Sequence, residues 1–142
     1  ASNLTQNAFY NSLVPQVNVG IIATQAPLPN TVGDFWNLIL QENAAVIISL
    51  VKEEIGYNNK AECRNYKHRD YFDPVSVESR HAYDGFIVRK IALADRIVTH
   101  VQYLDWPDHG IPVNFDRFIT FVTFCEDLID SSSSLTAVLH CR

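Results

Sequence analysis

The sequence predicts an α/β (α+β) fold: one twisted, mostly mixed central sheet flanked by helices. Three observations carry this. The run Ala44–Val51 (A-A-V-I-I-S-L-V) is continuously apolar and rich in β-branched residues, the pattern of a strand covered on both faces. Phe118, Phe121, Val122, Cys125, Leu128 and Ile129 recur at helical spacing through Phe115–Ile129, which marks an amphipathic helix. Phe86–Leu93 and Ile97–Tyr103 each alternate in character across a short Ala-Asp-Arg connection, which predicts an antiparallel hairpin. Strands and helices that mix along one chain pack as layers around a single sheet.

The other elements follow in chain order. Val19–Thr24 reads as a short buried strand, broken by Pro27 and Pro29. Thr31 and Asp34 have the spacing of a capping box, a hydroxyl at the N-cap and a carboxylate in the first turn. The helix they open carries Phe35, Trp36, Leu38, Ile39 and Leu40. From Lys52 to Asp84 the chain is polar and irregular, with Gly56, Asn58 and Asn59, and no strand can be placed in it from pattern. Asn114 is a candidate N-cap for the second helix. Ser131–Ser134 reads as the loop into a last strand, Leu135–Leu139. Ligands of such sheets favour the carboxyl ends of the parallel strands, and Cys141 sits at such an end.

Composition limits the function classes. The chain has 142 residues, 47% hydrophobic and 19% charged, which suits one globular domain. A net charge of −5, from 11 Lys+Arg against 16 Asp+Glu, argues against a nucleic-acid binder, which needs a basic face. A local basic pocket for one anion stays compatible with it. Cysteines occur at 63, 125 and 141, an odd count with no C-x-x-C pair, so neither a disulfide framework nor a zinc site is expected. Reduced thiols in a cytosolic setting are the simplest reading. No apolar run reaches the roughly 18 residues of a membrane span, and no signal peptide is visible at Ala1. His68, His81, His100 and His109 lack ligand-like spacing and read as surface or loop residues. Arg89 and Arg96 read as structural ion-pair partners, and Cys63 and Cys125 as packing residues.

Two stretches carry chemistry. In Asp105-Trp106-Pro107-Asp108-His109-Gly110, Pro107 fixes its own φ and disfavours helical angles at Trp106, while Gly110 frees the backbone beyond. An apolar anchor, an acid and a permissive residue suit a loop that swings a carboxylate into place, with Asp108 as general acid. The plain alternative is a polar turn with one buried tryptophan. In Leu139-His140-Cys141, a thiol at a strand end is a candidate nucleophile where its thiolate is stabilised. Successive strand residues point to opposite faces, so a direct Cys141–His140 ion pair is not expected. The alternative is a small buried hydrophobe.

Together these stretches resemble the catalytic domain of protein tyrosine phosphatases. Ile22-Ala23-Thr24-Gln25-Ala26-Pro27-Leu28-Pro29-Asn30-Thr31 is similar to the family's I-A-T-Q-G-P-L-x-x-T, and Asp34-Phe35-Trp36 to its D-F-W. Glu53, Gly56, Cys63 and Tyr66 resemble its E-x-G-x-x-K-C-x-x-Y-W. Trp106-Pro107-Asp108-His109-Gly110-Ile111-Pro112 resembles its mobile acid loop, and Val138-Leu139-His140-Cys141 the opening of its active-site motif. These matches come in the family's order across nearly the whole chain.

The resemblance implies hydrolysis of protein phosphotyrosine through a cysteinyl-phosphate, with phosphotyrosine-containing proteins as partners and no cofactor or metal. Cys141 would be the nucleophile and Asp108 the general acid and then base. His140, Trp106, Pro107, His109 and Gly110 would support them, and Gln25 would belong to the frame. It also implies a partial domain over 1–142, incomplete at both ends. The N-terminal helices and tyrosine-gripping loop would precede Ala1, with Asn7-Ala8-Phe9-Tyr10 echoing the segment after that loop. The rest of the phosphate loop, its arginine and the following helices would lie beyond Arg142. This segment alone is therefore expected to be inactive. Localisation would be cytoplasmic, or in the cytoplasmic part of a receptor-type protein. Three departures stand out: Ala26 replaces the family's usual glycine, Lys67 its tryptophan, and Arg142 follows the cysteine where serine is usual. They motivate an alternative, a non-catalytic pseudophosphatase domain that binds phosphotyrosine or a protein partner.

Overall fold

The computed structural model of the chain describes residues 20–51, 70–107, 110–112, 114–132, 134 and 136–141. In chain order these form β1 (Gly20–Thr24), α1 (Val32–Gln41), β2 (Val46–Ser49), β3 (Ser76–Tyr83), β4 (Phe86–Leu93), β5 (Arg96–Tyr103), α2 (Phe115–Ser131) and β6 (Thr136–His140). The strands make one mixed sheet in the order β1-β6-β2-β5-β4-β3. The first four in that order run parallel, and β4 and β3 are antiparallel additions at one edge.

Side-chain alternation sends each parallel strand to two covers. Ile22, Ile47, Val98 and Val138 face α1, where they pack with Phe35, Trp36 and Ile39 and with Tyr71 and Phe72. Their neighbours in sequence face α2: Val46 and Ala137 meet Ile129, while Val101 and Tyr103 meet Phe121 and Cys125. The apolar run around 46–49 is therefore a central strand because helices shield both sides. The connection from β1 through α1 to β2 crosses one face of the sheet; that from β5 through α2 to β6 crosses the other, in the opposite direction along the sheet. Reversing both face and direction preserves the hand, so both crossovers share one hand, as parallel connections require.

The hairpin expectation holds, with β4 and β5 joined across Ala94–Asp95 and Ala94 at φ 55°. A two-residue hairpin turn needs such left-handed geometry. The preceding turn uses Gly85 at φ 87°, where an added Cβ would also meet Arg117 Cδ. Asn114 caps α2 by accepting from Arg117 N at 3.0 Å. Thr31 does stand at the N-cap of α1, but its hydroxyl makes no capping bond. It accepts instead from Leu28 N at 2.9 Å, so it closes the preceding turn. Strand β3 was not legible from pattern, because all eight of its residues are exposed. Among the described residues, no helix is long and apolar enough to cross a membrane.

Candidate active site

The four parallel strands end along one edge of the sheet. His140 pairs with Thr24 of β1 on one side and Ser49 of β2 on the other. Leu50 N donates to His140 O at 2.9 Å, carrying the ladder to the last strand residue. Cys141 is thus delivered to that edge between the segments leaving β1 and β2, and it is exposed. His140 is buried beneath α1, its ring edge-on to Phe35 at 5.6 Å. The two residues leave the strand in different directions, as alternation requires. Their link is through the backbone: His140 Nδ1 lies 2.9 Å from Cys141 O.

The acid-loop sequence leaves the same edge from β5. Leu104 N donates to Gly85 O at 2.9 Å, and Arg117 spans Asp105 at 3.3 Å and Asp84 at 3.1 Å. These contacts fix the base of the loop to α2 and to the β3–β4 turn. Trp106 packs on Phe118 with centroids 5.7 Å apart, the apolar anchoring expected of it. Pro107 is half-buried and Gly110 has φ 89°, a left-handed conformation that explains why glycine stands there. Asp108 and His109 lie outside the described residues. So do Glu53, Gly56, Cys63, Tyr66, Lys67, His68 and Arg142.

Beneath the edge sits a buried polar cluster. Tyr71 OH is 2.7 Å from His140 Nε2 and 2.9 Å from His100 Nε2. Its backbone carbonyl accepts from Trp36 Nε1 at 2.8 Å, so α1 positions the tyrosine that reaches the strand tip. Burial pushes the Tyr71 hydroxyl well above its usual range, against the opposing pull of the Arg89 guanidinium, and the hydroxyl stays protonated. Burial, with help from Arg89 and then His140, holds His100 well below the usual histidine range, and it stays neutral. Arg89 itself donates to Gln102 Oε1 at 2.9 Å and lies over the Phe72 ring. Gln102 passes the chain on to Val51 O at 2.7 Å.

Sequence reasoning missed two of these residues. His100 is not a surface or loop histidine; it is fully buried in β5. Its signal was positional: it alternates with inward-facing Val98 and Gln102. Tyr71 fell in the stretch without readable pattern, where only the aromatic pair Tyr71-Phe72 shortly before Pro74 hinted at an anchored turn. Arg89, expected as an ion-pair partner, is buried, with a hydrogen bond to Gln102 and a cation–π contact to Phe72 among its interactions. Arg96 bonds to Asn43 Oδ1 and, at 2.8 Å, to Ile39 O. Ala26 lacks a positive φ, so alanine in place of the family's glycine brings no left-handed strain.

The thiols differ sharply. Cys125 is buried on the inner face of α2, and burial, assisted by Glu126, pushes its thiol up to about 12. Iodoacetamide at neutral pH, read by peptide mass, is expected to modify Cys141 in the folded chain and to spare Cys125 until urea is added. Equal modification of both in the folded chain would contradict the burial of Cys125.

Comparison with known proteins agrees with this architecture. A family model described as protein-tyrosine phosphatase matches residues 5–142. Mouse tyrosine-protein phosphatase non-receptor type 13 is 32% identical over 134 residues, covering 84% of this chain and 5% of that protein. Tyrosine-protein phosphatase 2 of Dictyostelium discoideum is 34% identical over 140 residues, covering 84% of this chain and 34% of its own length. Rat receptor-type tyrosine-protein phosphatase C is 34% identical over 103 residues, covering 64% of this chain and 8% of its own. The chain thus spans about a third or less of the curated relatives just named. With a family match over nearly its full length, on a mixed sheet that delivers a cysteine to its carboxyl edge, the chain belongs to the protein-tyrosine phosphatase family.

Proposed function

We propose that this chain is part of a catalytic domain that hydrolyses protein phosphotyrosine, with Cys141 as nucleophile and Asp108 as general acid and base. The supporting observation is topological. β5 and β6 run parallel and open on one edge, with only β2 between them. Two strand spacings amount to about 10 Å, a gap that a loop beginning at Leu104 can bridge. The Cys141 thiolate attacks phosphorus; the S–P bond forms as the P–O bond to the tyrosine breaks. The Asp108 carboxyl gives its proton to the departing phenolate oxygen. Water then attacks phosphorus, Asp108 takes a proton from it, and the S–P bond breaks to return thiolate and inorganic phosphate. Trp106, Pro107 and Gly110 shape the loop, His109 flanks the acid, and His140 holds the backbone at the nucleophile. The protein acts in the cytoplasm, alone or as the cytoplasmic part of a receptor.

The test uses the full-length protein that carries these residues and a chromogenic aryl phosphate. Cys141→Ser is expected to abolish turnover. Asp108→Asn is expected to lower kcat about 10²–10⁴-fold, and less for an aryl group whose phenolate leaves without a proton. Turnover that survives Cys141→Ser sinks the assignment. Residues 1–142 alone contain no counterpart of the phosphate-clamping arginine, so negligible turnover is expected of that segment. The second reading, a non-catalytic phosphotyrosine-binding domain, rests mainly on Arg142 directly after Cys141. No turnover together with retained binding of a phosphotyrosine peptide would favour it.

A further inference from the structure

We propose that His140, Tyr71 and His100 hold one proton order that ends on the Cys141 carbonyl, with His100 as a positioning residue whose Nε2–H holds the Tyr71 oxygen while that hydroxyl's single hydrogen goes to His140. The functional consequence rests on the reading of Cys141 as nucleophile; the proton order itself does not.

The order follows from donor and acceptor counts. Cys141 O can only accept, and it lies 2.9 Å from His140 Nδ1, so Nδ1 carries hydrogen. In neutral imidazole the other nitrogen is then a lone pair. His140 Nε2 therefore accepts from Tyr71 OH at 2.7 Å. A hydroxyl has one hydrogen, so toward His100 the Tyr71 oxygen can only accept. His100 Nε2, 2.9 Å away, must donate. That leaves His100 Nδ1 as the bare lone pair, and it is indeed the buried ring atom with no partner.

Each other order is worse. Running the chain in reverse sets the His140 Nδ1 lone pair against the Cys141 carbonyl oxygen and strands a buried N–H at His100 Nδ1. Doubly protonating His140 turns the Tyr71 hydrogen toward His100 and strands the same N–H. A buried donor with no partner costs about 1–3 kcal/mol. A neutral His100 that donates from Nε2 is thus the partner that satisfies a Tyr71 oxygen whose hydrogen is committed to His140. His140 is then committed in turn to the backbone carbonyl at the strand tip. All three side chains are fully buried or nearly so, so water does not compete for these bonds.

The test is long-range proton–nitrogen correlation spectroscopy of the histidine-labelled 142-residue chain at neutral pH, with no activity readout. The expected result is opposite tautomers: His140 protonated at Nδ1 and His100 at Nε2. His100→Gln, which keeps an N–H donor, should retain the single His140 tautomer. His100→Leu leaves the Tyr71 hydrogen only His140 Nε2 to bond, so it should keep the tautomer but remove the donor that holds the Tyr71 oxygen, read as a shift of the His140 Nε2 resonance that His100→Gln does not show. A His140 protonated at Nε2, or at both nitrogens, in the parent chain overturns the proposal, and that measurement needs no variant to fold. A His140 Nε2 resonance that does not move in folded His100→Leu overturns the positioning role equally. Because none of these readouts involves turnover, failure here is distinct from failure of the phosphatase assignment.

Discussion

Trp36→Ala is expected to lower the unfolding free energy of the chain by about 3–5 kcal/mol, the usual cost of removing a large buried aromatic. Trp36 is 2% exposed and packs edge-on against Phe35 and Tyr71, with centroids 5.1 and 5.8 Å away. Alanine leaves a void walled by rings that cannot collapse together without leaving their rotamers. It also orphans the Tyr71 carbonyl, which accepts from Trp36 Nε1. Trp36→Phe separates the two losses. It keeps most of the ring and removes the donor, so its cost should fall to about 1–3 kcal/mol, that of an unsatisfied buried acceptor. Domains of this size hold only about 5–15 kcal/mol in all, so the alanine variant should show a much lower urea midpoint. A loss below about 1.5 kcal/mol would mean that Trp36 is not the anchor between α1 and the Tyr71 turn. The same variant should disturb the site, since the Tyr71 backbone it releases carries the hydroxyl that meets His140.

What was legible in the sequence was whatever is written locally. The apolar run around β2, the hairpin of β4 and β5, and the helical spacing of α2 each lie within one window. The structure places all three close to where periodicity put them. The delivery of Cys141 to a strand tip was legible for the same reason. What stayed hidden depends on contacts between distant positions. Tyr71 meets His140 across 69 residues, and periodicity names the face a residue points to, never its partner. Strand β3 has no buried face to create a pattern; pairing with β4 alone makes it a strand. Thr31 shows a competition that sequence cannot decide, since one hydroxyl serves either the helix N-terminus or the turn before it. His100 misled because histidine has only an intermediate preference for the interior, so its identity does not decide its burial. Only the tyrosine hydroxyl and the chain fold that brings it near make the interior site tolerable.

That tolerance has a sign, and acidification should reveal it. His100 is expected to make the folded chain lose stability as pH falls below about 6.5, the ordinary histidine pKa. The folded-state value lies well below that, through burial first, then the Arg89 guanidinium, and then the neighbouring His140. Below pH 6.5 the unfolded chain therefore binds a proton at this position that the folded chain refuses. The stabilising contribution is complete above the unfolded pKa and is lost progressively as pH drops toward the folded one. Between those two values the slope approaches about 1.4 kcal/mol per pH unit for this one group. Carboxylates titrate at lower pH and overlap only the tail of the window. Among the described residues, the groups facing His100 are Arg89 from β4, His140 from β6 and the Tyr71 hydroxyl. None of these three supplies an anion that would welcome a protonated ring. Urea titrations from pH 7.5 down to 5.5 should thus show a falling midpoint in the parent chain and a shallower fall in His100→Gln. Gln keeps the donor to Tyr71 but cannot titrate. Identical slopes for the two chains would show that His100 is reached by protons in the folded state, and that the polar cluster under Cys141 is open to water.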